Sequence, residues 1–195
     1  MSPSYTLYYL WGPWLPTESY SEGRAGCRGL LTEALVEGRL IEVERHSTVI
    51  EFYGVVEEAE AYLGRARVLL APLYAERVRL LQKAVRLIGG VLAGYIKPGD
   101  VEDLLNRAAE GLDEPRGWSL SGCDEPESLL ALASVKLRAA ERLASRMHSE
   151  GLVSRSTTES LIALLSRIAY ITFMIRVSLC RRAKLPEARS LALLA

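Results

Sequence analysis

From residue 54 onward apolar side chains return every three or four positions, through 55–71 and again through 73–94, which places them along one face of a helix. Pro72 and the Gly89–Gly90 pair interrupt that spacing and are read as helix boundaries. "KPGD" at 97–100 supplies a turn and an N-cap for a helix over 101–111, and "LDEPRGWSLSGCD" at 112–124 is read as a loop. The next segment carries the clearest pattern. Asp124 or Glu125 caps it, Pro126 stands in its first turn and Gly151 stops it. Between these limits Leu130, Ala133, Leu137, Ala140, Ala144 and Met147 form one apolar stripe, with Arg138, Glu141, Arg142 and Ser145 on another face. Ser156 or Thr157 then caps a last long helix that runs to about Arg182 and ends ahead of Pro186. Four or five helices with short connections imply an antiparallel bundle.

The first forty residues break this pattern. Pro3, Pro13 and Pro16, with glycines 12, 23, 26, 29 and 38, make them irregular; a short helix is expected over 29–37. The weak alternation of "RLIEVERHSTVIEFYG" at 39–54 suits a short strand pair or an extended arm. The expected organisation is one domain over 1–195, with an arm and loop at 1–44, a bundle at 45–182 and a tail at 183–195.

Composition narrows the function classes. The 24 basic and 24 acidic residues cancel, so the broad positive field of a nucleic-acid binder is missing and any anion site is local. Arginine makes up 20 of the 24 basic residues, while Gln82 and Asn106 are the only side-chain amides, a bias that fits a thermophilic source or a GC-rich genome. Cys27, Cys123 and Cys180 are odd in number and widely spaced, which argues against a disulfide framework and a zinc site and makes a reducing cytoplasm the expected location. No basic leader precedes an apolar run, so no signal peptide is expected. "LIALLSRIAYITFMIRVSL" at 161–179 carries Arg167 and Arg176 and is read as a buried bundle helix rather than a membrane span. His46 and His148 stand alone, with no metal-ligand spacing around them.

The candidate chemistry centres on Arg138, Glu141 and Arg142. That row is either a solvated face with one i,i+3 ion pair, or an anion site in which guanidinium forks meet phosphate oxygens and the carboxylate holds one fork in place. Arg167 favours the second reading, because a cation buried in an apolar stretch needs an anionic partner. In "YSEGRAGCRGLL" at 20–31 glycines 23, 26 and 29 permit a backbone turn around an anion, without the GxxxxGK[ST] pattern. Trp118 is either a core plug or an apolar lid over a flat ligand.

Three stretches taken in order carry a resemblance: "VIEFYGVVEEAEAYLGRARVLL" at 49–70, "EPRGWSLSGCDEPESLLALASVKLRAAERLASRM" at 114–147 and "TTESLIALLSRIAYITFMIRV" at 157–177. Together, over about 45–182, they resemble the helical-bundle ATP:cob(I)alamin adenosyltransferases of the PduO type. The resemblance implies an all-α, up-down five-helix bundle with an irregular N-terminal arm, forming homotrimers with sites between subunits. It implies ATP and a corrinoid, cobalamin, as partners, leaves Mg2+ open, and gives no role to nucleic acid or membrane. The implied reaction moves the 5′-deoxyadenosyl group of ATP to reduced cobalamin and releases triphosphate. The alternative is a catalytically degenerate homologue that binds corrinoid or nucleotide, or serves as an interaction protein.

Carried over position by position, Arg138 binds phosphate, Glu141 holds it or the ribose, and Arg142 supports both. Arg167 matches the arginine of the family's closing-helix motif, Arg45 a phosphate-binding lysine ahead of the first helix, and Glu57 a first-helix aspartate. Trp118 falls on a phenylalanine that displaces the lower axial ligand of cobalamin, while Gly23, Gly26 and Arg28 lie in the stretch matching the family's N-terminal ATP loop. The departures are equally specific. Arg24 replaces that loop's aspartate, Cys27 and Arg28 replace its hydroxyl residues, Ser134 and Ala139 stand where further arginines are expected, and Ser166 and Tyr170 replace an asparagine and an aspartate.

Overall fold

The computed structural model describes residues 30–115 and 121–182. Its first residues do not form the helix expected over 29–37. Instead β1 (Leu31–Val36) pairs antiparallel with β2 (Arg39–Glu44), in a register running from Leu31 opposite Glu44 to Val36 opposite Arg39. The two-residue turn between them requires left-handed backbone at both positions, which Glu37 (φ 49°) and Gly38 (φ 76°) adopt. Glu37 accepts this strain because the turn is docked: its N–H donates to the Leu92 carbonyl at 2.8 Å, and the Gly38 N–H to that of Ala93 at 2.8 Å. Those carbonyls close a helix and have no partner within it. Ala34 and Val36 are buried from the same strand. "LTEALV", a good helix former in isolation, is thus a strand because one of its faces is buried.

Five helices follow among the described residues: α1 (Thr48–Leu69), α2 (Pro72–Ala93), α3 (Pro98–Ala109), α4 (Glu125–Ser149) and α5 (Arg155–Arg182). Pro72 opens α2 as expected, but Gly89 and Gly90 lie buried inside the helix instead of ending it. A Cβ at Gly90 would sit 2.4 Å from Ile96 Cγ1, so the missing side chain lets the chain fold back on α2 after Gly94, whose φ is 87°. Asp100 acts from the third position of α3, accepting the Lys97 N–H at 3.3 Å, and not as the N-cap. On α4 the Asp124 carboxylate accepts the Glu127 N–H at 2.8 Å, and Gly151 takes the left-handed turn at its end. The cap of α5 is Ser154 rather than Ser156 or Thr157; its Oγ accepts the Thr157 N–H at 3.3 Å.

All six residues of the α4 stripe are buried. That stripe packs against α1 on one side and α5 on the other; α5 meets α2, α2 meets α1, and α3 covers α2 and α5. Phe52, Leu63, Leu81, Ile88, Leu137 and Leu165 fill the centre of the ring. By length and composition α5 is apolar enough to cross a membrane, with a mean hydropathy of 1.6, but 61% of that window is buried inside the bundle. Contact with three other helices accounts for its apolar character.

The cysteines depart from expectation. Cys123 and Cys180, separated by 57 residues, form a disulfide with their Cα atoms 5.6 Å apart. It fastens the residue ahead of the α4 cap to the last turns of α5. An odd count and wide spacing carry no information about which residues two antiparallel helices bring together.

Candidate functional site

Residues 128, 131, 134, 135, 138 and 142 recur at three- and four-residue steps on α4 and therefore share one face. That face forms a wall of a groove of ≈ 720 Å³, completed by Ser121 and Gly122 ahead of the helix and by Arg176 of α5. Ala131, Leu132 and Val135 give the groove an apolar edge, while Arg138, Arg142 and Arg176 give it guanidinium groups. A locally basic groove on a chain of zero net charge is the arrangement the composition required of any anion site.

Two of these arginines belong to the expected row. Arg138 Nη1 donates to Glu141 Oε1 at 2.8 Å and Oε2 at 3.0 Å, and Ser166 Oγ of α5 donates to the same carboxylate at 2.9 Å. Glu141 is the sheltered partner, with a side chain 16% exposed against 52% for Arg138. The carboxylate thus fixes one edge of the guanidinium and leaves the rest in the groove. Arg142, one turn further on, is exposed and has no hydrogen-bond or ion-pair partner among the described residues. The row therefore shows the i,i+3 pair of the first reading, with Arg142 exposed beside it.

The third arginine was visible in the sequence only as a charge in an apolar run. Arg176 donates to Glu127 Oε1 through Nε at 2.8 Å and Nη2 at 2.7 Å, and through Nη2 to Ser121 Oγ at 2.6 Å. Its guanidinium lies 5.9 Å from the centre of the Phe173 ring. Glu127 is fully buried and its other oxygen accepts the Gly122 N–H at 2.6 Å. Glu127 looked like one more acid in the first turn of a helix, so nothing in its local sequence marked it. What could have found it is a spacing shared across the chain: Cys123 precedes Glu127 by four residues, and Cys180 follows Arg176 by four. Arg176 and Cys180 are one turn apart on α5, and Cys123 lies just ahead of the α4 cap, so the disulfide and the ion pair form two successive links between the start of α4 and the end of α5. Ligand atoms of Cys123, Glu127 and Cys180 lie within 4.8 Å of one another. With the sulfurs bonded together and the carboxylate taken by Arg176, the trio offers no free metal ligand.

The remaining sequence candidates fall elsewhere. Arg167, expected to be a buried cation, is exposed; the turn of α5 that buries Leu164, Leu165 and Ile168 points it outward, and its Nη2 donates to Asn106 Oδ1 of α3 at 2.6 Å. Arg45 is exposed just beyond β2, with its N–H donated to the Leu30 carbonyl at 2.8 Å, and Glu57 is exposed on α1. None of these three lines the groove. Gly23, Gly26, Arg28 and Trp118 lie outside the described residues.

Fold and groove together define a class: an all-α bundle with a groove along one helix face that is lined by guanidinium groups. The sequence model of the cobalamin adenosyltransferases matches residues 32–179, and the chain belongs to that family. Among solved structures it is similar to a variant PduO-type ATP:corrinoid adenosyltransferase from Lactobacillus reuteri complexed with cobalamin and ATP, with a TM-score of 0.61 and 15% identity over 80% of this chain and 92% of that one. A second variant from that organism, complexed with ATP, gives 0.61 and 14% over 89% and 98%; a third, complexed with cobalamin and ATP, gives 0.58 and 15% over 83% and 88%. At such identities the likeness is one of fold. No curated protein matches the sequence.

Proposed function

We propose that the protein transfers the 5′-deoxyadenosyl group of ATP to the cobalt of reduced cobalamin and releases triphosphate. The observation that carries this reading is the convergence of three guanidinium groups on one groove in a member of the family. Reduced cobalt is itself the nucleophile, so the protein has two tasks: to hold ribose C5′ in line with the metal, and to stabilise the charge of the departing triphosphate. Arg138 and Arg142 take phosphate oxygens, with Mg2+ accompanying the chain, and Glu141 keeps the Arg138 fork oriented. Arg45, Glu57 and Arg167, with Gly23, Gly26, Arg28 and Trp118, complete the nucleotide and corrinoid sites. A homotrimer with sites between subunits suits this assignment, because Arg45, Glu57 and Arg167 lie away from the groove of their own subunit.

The test is to incubate the protein with ATP, Mg2+ and chemically reduced cobalamin and follow the corrinoid spectrum, with chromatography of the product. Formation of adenosylcobalamin supports the proposal. A second reading, a homologue that binds without catalysing, draws support from Ser134, Ala139, Ser166 and Tyr170, which replace charged or amide groups on the two helices beside the groove. A spectral shift of bound cob(II)alamin without product would favour it. Neither signal would refute both.

A further inference from the structure

We infer that Arg176, clamped by the buried carboxylate of Glu127, is a third polyphosphate-binding residue, reaching the groove from α5 opposite the arginines of α4. This rests on the proposed function in placing a polyphosphate there. An ion pair buried this deeply is weak evidence of a stabilising role, because well-packed apolar side chains of similar volume often serve as well or better. What the pair provides is a guanidinium held at a fixed point. Nε and Nη2 are committed to Glu127 and Ser121, the Phe173 ring lies against the group, and the second Glu127 oxygen is occupied by the Gly122 N–H. Nη1 has no hydrogen-bond partner among the described residues.

The side chain is only 9% exposed, and it lines the groove. Such a group loses little freedom when it meets an anion, unlike the exposed side chains of Arg138 and Arg142. On the α4 wall, one turn before Arg138, the groove is lined by Ser134 and Val135, and the Ser134 hydroxyl is turned away to the Leu130 carbonyl at 3.0 Å. Arg176 is therefore the cation of that end, and a polyphosphate would lie between donors from two helices. The shared chemistry is a chain of phosphates, carried by a nucleoside triphosphate or by free tripolyphosphate.

Isothermal titration of the full chain with ATP and with tripolyphosphate tests this, at several salt concentrations. Arg176→Lys keeps the charge and loses the fork; the double variant Glu127→Gln/Arg176→Gln replaces the pair by two amides and leaves no orphan charge. Both are expected to weaken tripolyphosphate and ATP by about tenfold or more. The double variant is expected to lose part of the salt dependence, and adding Ser134→Arg to it should restore most of the affinity. Melting temperatures of the same variants identify a merely structural Arg176, whose loss would lower stability and leave the affinity of the folded chain unchanged. Unchanged tripolyphosphate affinity in both variants would overturn the inference, as would failure of Ser134→Arg to restore it. If the native chain binds neither ATP nor tripolyphosphate, the proposed function and the inference both fall. Native binding of ATP with equal affinity in the variants would remove the inference alone; binding of tripolyphosphate but not ATP would keep Arg176 in its role and remove the adenosyl transfer.

Discussion

Replacing Cys123 and Cys180 together by alanine is expected to lower the free energy of unfolding by about 4 kcal/mol. The magnitude follows from the structure. The bridge closes a loop across 57 residues, and the loop-closure entropy removed from an unfolded chain by such a link corresponds to about 4 kcal/mol at room temperature. For a chain of this length that is a fall of roughly 8–16 °C in melting temperature. Urea denaturation of the native protein with and without a strong reductant, beside the double alanine variant, measures it. Reduction should move the native midpoint toward that of the variant and leave the variant unmoved. Thiol titration in denaturant supplies the count: one reactive thiol, that of Cys27, before reduction and all three cysteines after it. Three thiols in the unreduced protein, or a midpoint indifferent to reductant, would refute the reasoning.

Acid should weaken the molecule through two carboxylates. Partial burial pushes the Glu37 carboxyl up, but hydrogen bonds from Ser154 and Thr157 and the nearby Arg39 hold it below its ordinary value of 4.5; Glu150 is lowered by the Thr48 hydroxyl, against a smaller effect of burial, and by Arg146. A carboxylate whose folded pKa is depressed contributes stability that is full above the unfolded value and is lost as pH falls through the folded one, so urea midpoints should decline below about pH 4.5. Glu37→Gln should flatten that decline. Gly94→Ala is expected to cost roughly 2 kcal/mol or more, measured by thermal melting, because the residue has left-handed backbone and its new Cβ would lie 2.9 Å from the Gly38 nitrogen. Arg142→Ala, by contrast, should leave stability within about 0.5 kcal/mol while weakening tripolyphosphate binding in the same titration; equal loss of both would show a structural role.

The long-period features of this fold were legible because each is decided locally. The α4 stripe fixes which side of the helix is buried, and Asp124 and Gly151 mark its ends by side-chain and backbone chemistry close at hand. The hairpin was not legible. Leu31 and Leu35, with alanine and glutamate between them, read as a helical turn, and the strand wins through hydrogen bonds from Glu37 and Gly38 to a helix end some fifty-five residues away. Gly89 and Gly90 read as a break, yet Gly90 is required by close approach of Ile96. At the site, Arg138, Glu141 and Arg142 could be recognised because they share one helix. The Glu127–Arg176 pair and the disulfide could not, since both join α4 to α5 across about fifty residues. Arg167 failed for the opposite reason: its apolar neighbours in sequence are not its neighbours around the helix.

The docked hairpin turn also orders events in time. Helices α4 and α5 meet across a short connection, whereas the turn must close spans of 55 residues to Leu92 and 117 residues to Ser154. Contacts of such separation cost more chain entropy to form and are slow to nucleate, so the helical pairs should assemble first and the arm last. The part of the α4–α5 groove nearest that connection, where Glu141 meets Ser166 across 25 residues, is then early, whereas its other end, where Glu127 meets Arg176 across 49, closes on the same scale as the arm.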